Sequence, residues 1–475
     1  MKRKGFIVFV VLCLVILLIP FVGMTVAPTM VTTENKELSE LPKVKDENGI
    51  NVNYMAELGD YFQDHFAFRQ QLVSVNAAIY GKIFGTSTTD QVLIGKNNWM
   101  YYTGTLDDYL VENVMTERGI ENALHNIKLM QNYVESRGSQ FILAIAPNKN
   151  SIYDDNMPYY YKKGEGENNY EKLKKRMLQE DIHFVDLHTV FRNSEDVLYL
   201  ERDSHWTNKG AVLAYNLIME QTALNYETYE DVPYEVRKEH LGDLTEMLYP
   251  LNSELENNEY YQKDWSWSYV NEVTDNMDEW IETESPSENG TVLMYRDSFG
   301  ESMLPFFAET FGKGYFSRLV PYDLSNIVRY EPDYTIIERV ERRISSFASE
   351  VPIMSAPMGR LNISNKEGTR TSLNIEIAGG YYAFDGIIDS NYMQTDSDIF
   401  IVLTDDKGES VAYKPFYCSV NTEEGINDNG YMMYIDQRSI RSDAVTVDVV
   451  IENPMGMLSV KSQEIVFSEL GGVEE

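Results

Sequence analysis

The chain has 475 residues, of which 43% are hydrophobic and 24% charged, and it carries a formal net charge of -35. The length exceeds one ordinary domain, and the composition is that of a globular protein able to bury a sizeable core. A surface this acidic repels nucleic-acid phosphates and anionic lipid headgroups, so both are set aside as partners of the folded part. It also disfavours a strongly anionic glycan unless the cleft is locally basic.

At the N-terminus, Lys2, Arg3 and Lys4 precede an uncharged, mostly apolar run over 6–26. About 20 such residues span a bilayer as a helix. The basic flank belongs on the cytoplasmic side, which places the rest of the chain outside. The expectation is a single-pass membrane anchor over 1–27 with an extracytoplasmic remainder. A cleaved signal peptide, giving a secreted protein, is the other reading. The only cysteines are Cys13, inside this run, and Cys418. A structural disulfide between them is implausible, and an extracellular protein without disulfides suits a bacterial surface. Residues 28–50 are polar, contain Pro28 and Pro42, and read as a tether.

Over 54–84, Tyr61, Phe62, Phe66, Phe68 and Leu72 recur at roughly helical spacing. Residues 91–94 and 99–102 flank Asn97-Asn98 and predict a hairpin. Next comes an α/β alternation. Helix is expected over 116–137, 170–180, 209–224 and 301–311, and strand over 140–146, 183–187, 291–295 and 334–338. This order predicts a parallel sheet covered on both faces. Residues 225–290 interrupt it; they are acidic, rich in Tyr and Asn, and hold Trp265, Trp267 and Trp280. They read as an insertion beside the site, partly loop. Past about 360 the helical pattern disappears. Alternating runs at 372–377, 400–404 and 445–451, with turns at Gly379-Gly380, Asp405-Asp406 and 427–430, predict a β-sandwich. The domain scheme is an anchor (1–27), a tether (28–50), an α/β unit (51–350, insertion 225–290) and an accessory β-sandwich (351–475).

Two segments carry chemistry. The first is Asp203-Ser204-His205-Trp206-Thr207, followed by Gly210-Ala211. The second is Arg296-Asp297-Ser298-Phe299-Gly300, between an expected strand and helix. A serine hydroxyl is weak at neutral pH and needs a base; histidine is the usual one, and a carboxylate on its other ring nitrogen fixes the tautomer. A serine at the carboxyl end of a strand is exposed where open α/β sheets bind ligands, beside the free N–H groups of a helix start. Each segment alone also fits a helix cap, and Asp with His fits a metal site, although no further ligand cluster accompanies them. His183 and His188 read as packing or surface residues, and His65, His125 and His240 as structural.

The combination resembles the SGNH-hydrolase-like domain of alginate O-acetylation proteins of the AlgX and AlgJ type, and the related DHHW family of Gram-positive bacteria. Further segments that carry the resemblance are Leu38 to Pro42, Asp64-His65-Phe66 with Arg69, Val92 to Gly95 with Trp99, Pro147-Asn148-Lys149 with Ile152-Tyr153, and Pro332-Asp333-Tyr334 with Glu338-Arg339. It covers about 35–345 and implies a flavodoxin-like three-layer α/β/α fold. It also implies Ser298 as nucleophile, His205 as base and Asp203 as its orienter. Trp206, Asn148, Gly300 and Arg296 are the candidates for shaping the pocket or meeting an oxyanion. Two positions depart from the family pattern: Arg296 replaces the glycine of a Gly-Asp-Ser block, and Ser204 replaces the second residue of the family name. As in that family, the Asp-x-His pair precedes the serine. The resemblance implies acetyl transfer to a polysaccharide without a cofactor, with a membrane-bound O-acyltransferase as acetyl donor. An acetyl esterase and a non-catalytic glycan-binding shell are the other readings.

Overall fold

The computed structural model describes residues 2–24, 38–46, 49–251, 254–359, 361, 365–423, 425–453 and 456–470. Seven strands form its central sheet: Gln140–Ala146 (β1), Phe184–Val185 (β2), Ser268–Tyr269 (β3), Trp280–Glu284 (β4), Thr291–Tyr295 (β5), Lys313–Ser317 (β6) and Tyr334–Val340 (β7). Their spatial order is β2-β1-β7-β5-β6-β4-β3. The five from β2 to β6 are parallel, and β4 and β3 add an antiparallel edge. Counted from β5, the parallel strands read 2-1-3-4-5, the flavodoxin-like order entered at a different strand. The chain therefore meets its Asp-x-His loop before its serine strand. The topological switch lies between the carboxyl ends of β5 and β7, where such sheets open a ligand crevice.

The apolar runs of β1 and β5, with the Ile336-Ile337 pair of β7, make this sheet, because both of its faces are covered. Alternate residues serve opposite cores. Ile142, Ala144, Val292, Met294 and Ile336 pack with Ala211, Tyr215 and Phe307. Phe141, Leu143, Leu293, Tyr295 and Ile337 pack with Ile120, Leu124 and Ile127.

The C-terminal region forms a six-stranded and a four-stranded sheet that share a core, with Phe384 and Met433 facing Ile401 and Val447. It packs directly on the α/β unit: Phe416, Cys418 and Tyr434 join the core beneath helix Glu117–Ser136. Polar groups key the contact. Asn126 Nδ2 donates to Phe347 O and Tyr417 O, both at 2.8 Å, and Tyr417 N–H donates to Asn126 Oδ1 at 2.9 Å. Burial holds His125 down to about 3, and its ring stacks on Tyr417 at 3.5 Å.

Several elements depart from expectation. The 54–84 segment is two helices, Tyr54–His65 and Arg69–Ile79, broken at Phe68, whose φ of 62° lies in the left-handed region. The 183–187 strand shrinks to Phe184–Val185, because the Asp186 side chain accepts Thr189 N–H and starts helix Leu187–Asn193. Residues 427–430 lie inside strand Gly425–Asp436 rather than in a turn. The insertion is ordered: strands Tyr234–His240 and Glu256–Tyr261 pair, and helix Asp243–Leu248 lies between them. The N-terminal transmembrane span is not supported. Lys2–Gly23 is helical with Pro20 inside it, and Pro20 O accepts Ala67 N–H at 3.2 Å, tying that end to the folded part. Among the described residues no helix is long and apolar enough to cross a membrane. Residues 28–37 and 47–48 of the expected tether, and 25–27 of the expected anchor, lie outside the described residues.

Asn126 satisfies three backbone groups at a buried seam, so Asn126→Ala strands all three. The variant should lose about 1–3 kcal/mol of unfolding free energy in urea melts. A loss within about 0.5 kcal/mol, as for an ordinary surface change, contradicts this account of the seam.

Candidate functional site

Ser298 follows β5 and opens the short 3-10 turn Phe299–Glu301. Asp297 locks this corner. Its Oδ1 accepts Phe299 N–H at 2.9 Å, its Oδ2 accepts Val340 N–H at 2.8 Å, and its own N–H donates to Glu338 Oε2 at 3.0 Å. The ends of β5 and β7 are thus bound across the switch point. Burial, reinforced by the Asp297 charge, pushes the Glu338 carboxyl well above the usual range. A neutral Glu338 makes that close pair of carboxyls tolerable.

Asp203 and His205 lie on the loop before helix Asn208–Met219, whose start the Thr207 side chain caps by accepting Gly210 N–H. Buried Lys149 holds the loop from below; its Nζ donates to Met100 O and Glu201 O at 2.8 Å and to Asp203 O at 3.0 Å. Asp203 is only 4% exposed and must find donors. It has four: Oδ1 accepts His205 Nδ1–H at 2.7 Å and His205 N–H at 2.9 Å, and Oδ2 accepts His240 Nε2–H at 2.8 Å and Asp243 N–H at 3.1 Å. Burial alone raises a carboxyl, but the charges and hydrogen bonds of His205 and His240 hold Asp203 well below its ordinary value. With Asp203 accepting at Nδ1, His205 has Nε2 free to accept, and Ser298 Oγ stands 2.8 Å from it. Burial lowers His205, yet the Asp203 charge and hydrogen bond outweigh it and leave the ring above 6.5. Geometrically, this arrangement can draw the proton from Ser298 Oγ.

The remaining expected residues serve other purposes. Trp206 is buried, and its indole donates to Phe299 O at 3.1 Å and Ser302 Oγ at 2.8 Å, fixing the serine turn against the histidine loop. Arg296 is buried under the site and donates to Asn276 O and, at 3.4 Å, to Asp297 O. Burial and neighbouring Arg318 lower it to about 10. A Cβ on Gly300 would sit 2.7 Å from Arg296 Cβ, so glycine there makes room for Arg296. Asn148 donates from Nδ2 to Asp108 Oδ2 at 3.0 Å and from its backbone to Glu341 Oε2 at 2.8 Å. Neither Asn148, Arg296 nor Gly300 lines a cavity that holds Ser298.

Two residues absent from the expected set complete the cluster. His240, read from sequence as structural and unpartnered, is the second imidazole on Asp203. Asp243 accepts Ser204 N–H at 2.8 Å and Ser204 Oγ–H at 2.5 Å, so Ser204 ties it to the loop. Both come from the insertion. Asp203, His205 and Asp243 also place ligand-capable atoms within 4.8 Å of one another. These are the residues that could hold a cation, but the Asp203 oxygens already accept four N–H groups.

Ser298 and His205 lie where two cavities meet. One, of about 620 Å³, is lined by Trp206, Tyr260, Tyr261, Trp265, Asn276 and Phe306. The other, of about 520 Å³, is lined by Tyr102, Met247, Met277, Arg318, Arg342 and Arg343. A roomier cavity of about 770 Å³, near Val75, Met100 and Tyr249, holds none of the expected site residues.

Residues 92–279 match the family model described as the SGNH hydrolase-like domain of the acetyltransferase AlgX. The match includes Asp203 and His205 and stops before Ser298. The probable alginate O-acetylase AlgJ of Pseudomonas fluorescens is 23% identical over 220 residues, which cover 45% of this chain and 54% of that protein. The chain thus spans about half the length of this relative. Among solved structures, Bacillus cereus PatB1 is 15% identical, with coverage of 54% of this chain and 97% of that one and a TM-score of 0.44. A DHHW family protein from Eubacterium siraeum is 13% identical, with coverage of 55% and 95% and a TM-score of 0.42.

Burial and the Asp203 charge push Asp243 up to about 6. A carboxyl raised in the folded state contributes stability that is present below its ordinary value near 4 and is lost as pH rises through about 6. Asp243→Asn removes this loss. Its melting temperature relative to the parent should therefore move upward between pH 4 and pH 8. A difference that stays flat across that range counts against the strained pairing of Asp203 and Asp243.

Proposed function

We propose that this chain transfers acetyl groups to hydroxyls of a cell-surface or secreted polysaccharide through an acetyl-Ser298 intermediate. The observation that carries the reading is the line Asp203–His205–Ser298 at the switch point of the sheet, with contacts of 2.7 and 2.8 Å. The match of residues 92–279 to the AlgX acetyltransferase domain and the AlgJ relative support the acetyl and polysaccharide parts of it.

In the first half-reaction Ser298 Oγ bonds to the acetyl carbon while its proton passes to His205 Nε2. The leaving group then takes that proton as its bond to the acetyl carbon breaks. In the second, a sugar hydroxyl gives its proton to His205 and bonds to the acetyl carbon. The Ser298 ester bond breaks and Oγ recovers the proton. Asp203 orients His205 and stabilises the imidazolium in each half. Trp206 keeps the serine turn seated against the base. The donor is an activated acetyl group handed on by a membrane-bound O-acyltransferase. The aromatic wall of Tyr260, Tyr261 and Trp265 along the larger cavity favours a sugar as acceptor. Water in its place would make the same residues an esterase.

Intact-mass spectrometry after incubation with p-nitrophenyl acetate should reveal one acetyl adduct that maps to Ser298 and is absent from Ser298→Ala. No adduct and no ester turnover in the parent sinks the proposal. Adding oligosaccharides should divert acetyl to sugar; free acetate as the sole product with every glycan leaves the esterase. His205 must be neutral to act as base and is held above 6.5, so kcat/KM should fall as pH drops through a value above 6.5. An acid limb centred below 6.5 contradicts the assignment.

A further inference from the structure

Acyl transfer places negative charge on the carbonyl oxygen as Ser298 attacks, and something must meet it. Two candidate donors are committed elsewhere. Asn148 Nδ2 is bonded to Asp108, and Phe299 N–H, next to the serine, is bonded to Asp297 Oδ1. The side of the switch point opposite Ser298 is the carboxyl end of β7, which runs into the short turn Glu341–Arg343.

Glu341 anchors that turn. Its buried carboxylate accepts Asn148 N–H and His188 Nε2–H at 2.8 Å, Ser151 Oγ–H at 2.9 Å and Asn168 Nδ2–H at 3.2 Å. It is thus spent on other partners. Arg342 follows, half-buried, with its guanidinium 5.7 Å from the centre of the Phe299 ring and 5.5 Å from that of Tyr102. Among the described residues no carboxylate lies within ion-pair distance of it. It lines the same cavity as Ser298 and His205, and its charge acts on His205, lowering that ring against the stronger pull of Asp203.

We propose that Arg342 is a further catalytic residue: its guanidinium meets the acyl oxygen and stabilises the oxyanion formed when Ser298 Oγ bonds to the acetyl carbon. The inference rests on the acetyl-Ser298 reading. As Oγ attacks, the carbonyl π electrons move onto oxygen and the serine proton moves to His205. When the tetrahedral intermediate collapses, those electrons return, the leaving group departs with the proton, and Arg342 is unchanged. A positive charge held beside an aromatic face, and not locked in an ion pair, is pre-organised for that task.

The test uses the full chain with p-nitrophenyl acetate, a small neutral ester whose turnover does not depend on binding an anionic glycan. Arg342→Gln should lower kcat/KM on the order of 10²–10³-fold, as loss of one oxyanion donor does. It should also shift the acid limb of the pH profile upward, because a charge that lowers His205 has gone. Arg342→Lys keeps the charge and should recover at least about tenfold over the Gln variant, which separates loss of charge from a misfolded turn. A Gln variant within about tenfold of the parent, an unmoved acid limb, or a Lys variant no better than Gln overturns the proposal. Ser298→Ala is run alongside. Undiminished turnover there removes the acetyl-serine reading itself, whereas loss in Ser298→Ala with an active Arg342→Gln removes only the role of Arg342.

Discussion

The site depends on one buried carboxylate. Asp203 is taken out of water and would lose its charge unless donors replaced the lost hydration. Four N–H groups do so, from His205, His240 and the backbone of Asp243. Because they approach both oxygens, the carboxylate cannot rotate, and the His205 ring it holds cannot either. Lys149 performs the complementary task below, where three carbonyl acceptors keep the loop carrying Asp203 closed on the sheet. The imidazole is thereby directed at Ser298 with one nitrogen to spare.

Ser298 is fixed by a separate device of the same kind. Asp297 spans the ends of β5 and β7, and Glu338 stands against it inside the protein. The two carboxyls share one local negative charge when Glu338 stays protonated, which is the direction its burial dictates. Ser298 and His205 thus rest on rigid elements from different parts of the chain, and Trp206 fastens one support to the other. The permuted strand order has a simple consequence. His205 is laid down first in sequence and Ser298 second, although both lie at the carboxyl edge of one sheet.

Much of this frame was legible in the sequence. β1 and β5 are short continuous apolar runs within an α/β alternation, as strands buried on both faces are. Asp203 and His205 were legible because they stand two apart before a capped helix. β6, a Lys-Gly-Tyr-Phe-Ser stretch, gave no such signal, since neighbouring β4 and β5 supply its context rather than its own residues. His240 ends a polar hairpin strand and meets Asp203 across 37 positions, a distance over which local pattern carries nothing. Its one available sign was scarcity, as the chain has only six histidines. Asn148 was drawn toward the site by its place after a strand, but Asp108, 40 residues earlier, takes its amide. Arg342, in a Glu-Arg-Arg turn, looks like solvated surface charge until the sheet places it opposite Ser298.

Two cavities meeting at one Ser–His pair fit a reaction with two acyl partners better than a single pocket does. The larger cavity is aromatic and amide-lined, walled by the ordered insertion through Tyr260, Tyr261, Trp265 and Asn276. The smaller gathers Arg318, Arg342 and Arg343 in a chain whose formal charge is -35. That contrast gives the site a locally positive wall within an otherwise repulsive field, which concentrates electron-rich groups beside Ser298. The insertion builds the partition between the two spaces: Met277 lines both, Asp243 lines both, and Arg296 holds Asn276 from beneath. Because the same segment also supplies His240 and the Asp243 N–H to Asp203, widening or narrowing it near those two residues would disturb the carboxylate that orients His205 as well as the partition between the cavities.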